Sequence, residues 1–426
     1  MRTSLRRALV PLAAATMAAS LLATAACGDS GESGAPEKIT LNVALFGDFG
    51  FKPLYDEYMK AHPNITIKEK VSEYSAHHQS LISHLATGSG AADIEAIEIG
   101  FLSSFTAKPD RFHNLLDLGA GAKESQWLPW KWQQALSTDK KSLIGLGTDV
   151  GGMAMCYRTD LFAKAGLPTA REEVSKLWPT WEDYVATGKR YKAAQPNSFF
   201  MEASGNMFRA MVEQAPLGVY DNADKLVVDS NPAVKKAWDL TVDAIKSGQS
   251  AKLSAWTPEW TAAFGKGTFA TIVCPAWMTS YIENNAKNAA GKWDIAAVPG
   301  GAGSMGGSHL ALPKQGKHAK EAYDLIAFLT APEQQKKVFK ATGNFPSTPS
   351  LYTDPDLTGF SKAFFNNAPL GTIYTASAQA VQPQHQGPKQ GDVFTAIGSG
   401  LGRIEQGKQT PEAAWTQVLG DCAKLA

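Results

Sequence analysis

Residues 39–46 (ITLNVALF), largely apolar with Thr40 and Asn42 interposed, read as a strand that stops at the loop 47–50 (GDFG). Leu54, Tyr55, Tyr58 and Met59 then recur at helical spacing within 52–62, ahead of Pro63, and 65–71 alternate again, so the chain opens as β-α-β. A second amphipathic helix is expected over 79–86 and a second strand over 91–99, and helices and strands keep alternating to about residue 340. That order predicts an α/β fold with helices packed on mixed sheets. Ligands of such folds sit at the loops beyond the strand ends, which puts 47–49 and 98–101 at a candidate site; plain turn chemistry is the competing reading.

The first residues follow a different pattern. Arg2, Arg6 and Arg7 precede an apolar stretch over 8–26 and then Cys27, which resembles a bacterial lipoprotein signal in which Cys27 becomes the lipidated first residue. Thr24 stands where such signals usually carry Leu. Pro11 and the many alanines make the stretch a poor membrane-spanning helix. Residues 28–38 (GDSGESGAPEK) have the composition of a flexible tether. The expected location is the outer face of the cytoplasmic membrane, reached through the lipid anchor only.

With 426 residues the remaining body is too long for one ordinary core and suggests two lobes. Without Arg2, Arg6 and Arg7, 41 basic and 40 acidic residues become 38 and 40, a net charge of −2. Near-neutrality argues against nucleic acid or an anionic membrane surface as ligand. Cys156, Cys274 and Cys422 allow at most one internal disulfide, and the expectation is buried, mostly free thiols. Eleven tryptophans are many for a neutral exported chain, and flat aromatic rings are what the C–H faces of sugars stack on.

Four segments carry a family resemblance in their order and spacing. Residues 143–167 (LIGLGTDVGGMAMCYRTDLFAKAGL) resemble the segment of extracellular solute-binding proteins for oligosaccharides that crosses between lobes and starts a strand and helix. Residues 178–191 (WPTWEDYVATGKRY) are similar to the Pro-Thr-Trp helix start that follows. Residues 264–282 (FGKGTFATIVCPAWMTSYI) are similar to the helix end, buried strand and Trp loop, and 294–329 to the return crossing. Residues 43–51 (VALFGDFGF) look most like actinobacterial cello-oligosaccharide binders, although maltodextrin, xylo-oligosaccharide and chito-oligosaccharide binders share the frame.

The resemblance implies a type II periplasmic-binding-protein fold: two α/β lobes joined by hinge crossings, with the ligand between them. It divides the chain into a signal peptide (1–26), the lipidated Cys27 and tether (27–37), an N-terminal lobe (38–149 plus 299–347) and a C-terminal lobe (150–298 plus 348–426). It also implies a monomer without cofactor that delivers an oligosaccharide to the membrane permease subunits of an ABC importer, whose ATPase it meets only indirectly. Gly145, Gly147, Gly151 and Gly152 suit a first crossing that must turn and flex, with close packing as the other reading.

A sugar site needs an aromatic plate and polar side chains that bond neighbouring hydroxyls. Trp277, after the apolar strand 269–274, matches the stacking Trp of the family; Trp256, before Pro258, offers a second plate. Phe49 and Asp48 stand at the first strand end, and Asp149 in the first crossing, where it would bond a sugar or brace the hinge. Glu98 closes the second strand, where capping the next helix is the alternative. Residues 381–390 (VQPQHQGPKQ) resemble a ligand loop of the C-terminal lobe and nominate Gln384, His385 and Gln386, against a plain polar surface loop. Ser204 and Asn206 are candidates with a helix N-cap as the alternative. His77, read in a loop over 72–78, is a further candidate. Trp181, Trp238, Trp260 and Trp415 fall on apolar helix faces and read as core.

No metal site is expected. His77 and His84 are two helical turns apart, ~10.5 Å along an axis, and the adjacent His77 and His78 should point apart. The rival class is an exported glycoside-acting enzyme, for which Asp48, Glu98 or Asp149 would have to supply two carboxylates. HExxH, a phosphate-binding Gly-rich loop and CxxC are absent from the sequence, and residues 302–306 (AGSMG) miss the GxSxG elbow at the first position. The sequence reads as a receptor, not an enzyme.

Overall fold

The computed structural model describes residues 37–425. The expected signal peptide, the expected lipidation at Cys27 and the expected tether up to residue 36 lie outside the described residues. Among those described, the chain forms eleven strands: β1 (Ile39–Phe46), β2 (Ile65–Ser72), β3 (Ile94–Glu98), β4 (Gly145–Gly147), β5 (Asp149–Val150), β6 (Met153–Arg158), β7 (Phe199–Met201), β8 (Phe269–Pro275), β9 (Trp293–Ala296), β10 (Ser308–Ala311) and β11 (Phe345–Pro346).

The first sheet has the order β2-β1-β3-β10-β4. β1 runs parallel to both β2 and β3, and β10 is antiparallel to β3 and β4. Ile39, Leu41, Val43 and Leu45 of β1 face the core while Thr40 and Asn42 face solvent, the alternation expected of a strand with one covered face. β2 is the edge, and its Lys68-Glu69-Lys70 run guards it against pairing with another chain. The second sheet, β7-β8-β6-β9, has β6 and β8 wholly buried. Separate hydrophobic clusters serve the two sheets, one gathering Leu41, Ile97 and Leu310, another Ile272, Trp293 and Phe345.

Three crossings connect the sheets. The chain leaves the first sheet after Gly147 and enters the second at Met153; it returns between Ala296 and Ser308; and β11 carries it across again, paired antiparallel with β5. This mixed α/β arrangement with two sheet-containing lobes is the expected fold class. The glycines of the first crossing serve close packing. None of Gly145, Gly147, Gly151 and Gly152 has positive φ, and a Cβ on Gly151 would lie 1.9 Å from the Met305 carbonyl oxygen.

Three sequence expectations need correction. Cys156 and Cys274 form a disulfide between β6 and β8, with Cα atoms 5.3 Å apart, so among the described residues the free cysteine is Cys422. Widely spaced cysteines met because both strands are central in one sheet, which sequence separation conceals. The second helix is Tyr74–Thr87 and begins five residues before the expected start, because the Glu73 carboxylate accepts the Ala76 N–H as a cap. His77 is therefore helical and not in a loop, and its ring lies 5.0 Å from that of His78 instead of pointing away. Trp181, Trp238 and Trp260 are buried, and Trp415 packs on Trp238 at 4.9 Å.

Candidate functional site

On the N-terminal lobe, β3 ends at Glu98, which caps the helix Ile99–Thr106. One carboxylate oxygen, Oε2, accepts the Gly100 N–H at 2.7 Å and the Tyr74 hydroxyl at 2.9 Å. Burial, and then the Glu98 charge, push the Tyr74 phenol above its ordinary range, so it donates throughout physiological pH. Phe46, at the end of β1, meets Phe49 and Tyr74 at 5.3 and 5.5 Å. His78 stacks on Phe101 at 4.1 Å. Its Nε2 accepts the Glu98 N–H, which leaves Nδ1 to donate to the Tyr74 carbonyl, and burial pushes this imidazole down to about 3.

The C-terminal lobe brings the helix Ser204–Glu213 opposite. Arg209 Nη2 lies 3.8 Å from Glu98 Oε1, and its Nε is 3.4 Å from Glu213 Oε1. The guanidinium also lies over Phe394 at 5.4 Å. Burial raises the Glu213 pKa, against which Arg209 and a bond from Gln386 act. Trp277 opens the helix Ala276–Asn285 directly after β8 and donates its Nε1–H to the Met305 carbonyl at 3.1 Å.

The crossings close the back. Asp149 Oδ1 accepts the Thr148 hydroxyl at 2.7 Å and the Ser308 N–H at 2.9 Å. Burial raises the Asp149 pKa, while Lys131 opposes the shift. Lys131 is itself 1% exposed, and its Nζ has no hydrogen-bond partner among the described residues; burial pushes it down to about 8. Gly306 and Gly307, both at positive φ, thread between these groups. A Cβ on Gly306 would meet Trp277 Nε1 at 3.1 Å and Glu98 Oε1 at 3.8 Å; on Gly307 it would meet Lys131 Nζ at 3.2 Å. Side-chain-free backbone is what lets the plate and the carboxylate approach from two lobes. Beside Asp149 is a cavity of about 10 Å³ lined by Phe49, Phe51, Thr148 and Asn344, room for about one water.

Glu98, Trp277, Asp149 and Gln386 thus belong to one neighbourhood. Asp48 is exposed, and its Oδ1 accepts the Gly50 N–H; Phe49 is packed between Phe46 and Phe51. Trp256 stacks on Trp277 at 5.9 Å. The other nominees are engaged elsewhere. His77 is buried and donates from Nε2 to the Ala96 carbonyl. Gln384 donates to the Val212 and Ala215 carbonyls, and His385 pairs with Asp224 at 2.6 Å. Ser204 is buried, with its N–H on Glu405, and Asn206 donates to Glu202. Sequence reading missed Tyr74, Arg209, Glu213 and Lys131. The Arg209-x-x-x-Glu213 spacing was the one signal available, a helical i,i+4 pair on an otherwise apolar helix.

Residues 54–364 match the sequence pattern of the bacterial extracellular solute-binding proteins. A solved structure described as an extracellular solute-binding protein of family 1 is 44% identical, with a TM-score of 0.82 over 91% of this chain and 99% of that one. The arabinooligosaccharide-binding protein of Bacillus subtilis (strain 168) is 25% identical over 346 residues, 77% of each chain. The ABC transporter associated binding protein of B. animalis subsp. lactis Bl-04, solved with beta-1,6-galactobiose, shares the fold at 24% identity, with a TM-score of 0.77 over 91% of this chain and 98% of that one. Among the described residues no helix is long and apolar enough to cross a membrane. The family pattern runs from within the helix that follows β1 through all three crossings and Trp277, and on that footing the chain belongs to the bacterial extracellular solute-binding proteins, a family of receptors and not of enzymes.

Proposed function

We propose that the protein binds an oligosaccharide between its lobes and delivers it to the permease of an ABC importer. The lobes would be 38–149 plus 299–347 and 150–298 plus 348–426, and lipidated Cys27 would hold the body at the outer face of the cytoplasmic membrane. The observation that carries this reading is Trp277 and Glu98 converging from opposite lobes on Gly306. An indole plate beside a carboxylate is the pairing of surfaces that a sugar offers. Tyr74, Arg209, Glu213 and Gln386 add hydroxyl-bonding groups, and Arg209 stands between two carboxylates, which favours an uncharged ligand. The relative named for arabino-oligosaccharides and the structure holding a galactobiose support the ligand class. Cello-oligosaccharides are the first choice within it, on the likeness of residues 43–51, ahead of maltodextrin, xylo- and chito-oligosaccharides.

The test is calorimetric titration of the full mature chain with cellotriose, maltotriose, xylotriose, arabinotriose and chitobiose. Tight one-to-one binding of one of them, with the sugar recovered intact, is expected. Silence toward all five would remove the cello-, malto-, xylo-, arabino- and chito-oligosaccharide readings, and released monosaccharide would overturn the receptor reading.

A further inference from the structure

Trp256 combines three features that no ordinary surface residue has. It is 52% exposed, it holds φ at +69°, and its indole lies on Trp277 with ring centroids 5.9 Å apart and planes 26° from parallel. The left-handed region is unfavourable for a bulky L-residue and persists only where the surroundings compensate. Here the compensation is aromatic: besides Trp277, the ring meets Trp260 at 5.2 Å and Tyr281 edge-on at 5.4 Å. Lys252, four residues earlier in a stretch without regular structure, also has positive φ, at +58°. The stretch ends where Thr257 caps the helix Pro258–Lys266.

Trp277, by contrast, is fixed. It opens a helix, follows a buried strand, and its Nε1–H is held by the Met305 carbonyl. One face of the fixed ring is covered by a ring on strained backbone. A pyranose sandwiched between two rings needs two contact distances of ~3.5–4.0 Å each, more than the 5.9 Å between these centroids.

We propose that Trp256 is a displaceable cover of Trp277: in the free protein its indole takes the stacking face, and an oligosaccharide replaces it as Trp256 swings out and leaves the left-handed conformation. The inference rests on the sugar-binding reading above and adds selectivity to it. A monosaccharide exchanges one stacked ring for another, with little gain. A longer sugar stacks on Trp277 and adds contacts from its next unit, so it outcompetes the cover. Only the uncovered fraction binds, and the apparent dissociation constant is the intrinsic one divided by that fraction.

The experiment uses the full mature chain with wild-type sequence, Trp256→Ala and Trp256→Phe. Without sugar, the far-ultraviolet circular-dichroism difference between wild type and Trp256→Ala should carry an exciton couplet from the Trp256 indole, over a background from pairs such as Trp238 and Trp415 that both proteins share. Calorimetry with cellotriose, maltotriose and xylotriose, each beside its monosaccharide, should then show the Ala variant binding about three- to tenfold more tightly, most of all to the monosaccharide, with Phe intermediate. Weaker or unchanged binding by Trp256→Ala, with wild type binding normally, overturns the cover and makes Trp256 a contact plate or a bystander. A difference spectrum without that couplet overturns it as well. If the couplet is present and neither protein binds any sugar, the sugar-binding reading falls and the cover falls with it.

Discussion

At the scale of single residues, Trp277 carries the clearest expectation. Its indole is partly exposed, packed on the core below and anchored at one edge, so on the proposed sugar-binding role removing it takes away a stacking face while the buried residues beneath remain. Trp277→Ala should weaken binding of the best trisaccharide by ~1–3 kcal/mol, roughly five- to 150-fold, with the melting temperature close to wild type. Calorimetry beside a thermal melt checks it; full affinity in the variant would make Trp277 a packing residue. Trp277 was legible because it follows a strongly apolar strand, and a strand end is where α/β folds expose side chains. The strand-end position of Glu98 was legible for the same reason, and the alternative of a helix cap is what is observed, one oxygen capping while the other faces Arg209. Lys131 was not legible. Nothing in PWKWQQ announces a buried ammonium, because its environment comes from Asp149 and Glu98, distant in sequence.

At the scale of elements, three segments of the C-terminal lobe meet on two buried carboxyls. Glu202 follows β7, and Glu405 ends the helix Gln390–Glu405, from which it accepts the first N–H of the helix Ser204–Glu213 and the Ser250 hydroxyl. Burial pushes Glu202 up to about 8, with Glu405 adding repulsion and the Asn206 amide acting against it. The raised pKa means that the folded state prefers the protonated acid. Stability from this group is full below its unfolded pKa near 4.5 and falls as pH rises toward 8, by about 1.4 kcal/mol per pH unit at most. Glu202→Gln keeps an acceptor for Asn206 and cannot ionise, so its melting temperature should exceed wild type at pH 8 and converge with it near pH 4.5. Parallel melts across that window decide the matter, and identical pH profiles would mean that Glu202 ionises without cost. Sequence reading carried a helix start near Ser204 only as the alternative to a ligand contact. It could not see what joins the two helices, as Ser204 and Glu405 are 201 residues apart.

At the scale of the molecule, the lobes meet at the crossings and again at the opposite rim, where the Ser103 hydroxyl donates to the Gly387 carbonyl at 2.6 Å and Arg209 approaches Glu98. A Cβ on Gly391 would come within 3.1 Å of the Gly100 carbonyl oxygen, so the two helix N-termini pass as closely as backbone allows. These contacts join the lobes in a closed arrangement, and none was legible locally, because Ser103 and Gly387 are 284 positions apart. The two-lobe order itself was legible in the chain length and in four weak segments in a familiar order, whereas the pairing of β5 with β11 follows from the way the crossings lie side by side. If closure creates the site, opening and plate removal should be separable. Gly391→Leu wedges the rim where Gly100 passes and leaves Trp277 untouched. Solution scattering should then give a larger radius of gyration for the variant, and the best trisaccharide should bind more weakly by the factor that closure has lost. Trp277→Ala should weaken binding at unchanged radius. A Gly391→Leu protein that is as compact as wild type and binds as tightly would mean that the rim yields locally, and that closure is governed by the crossings alone.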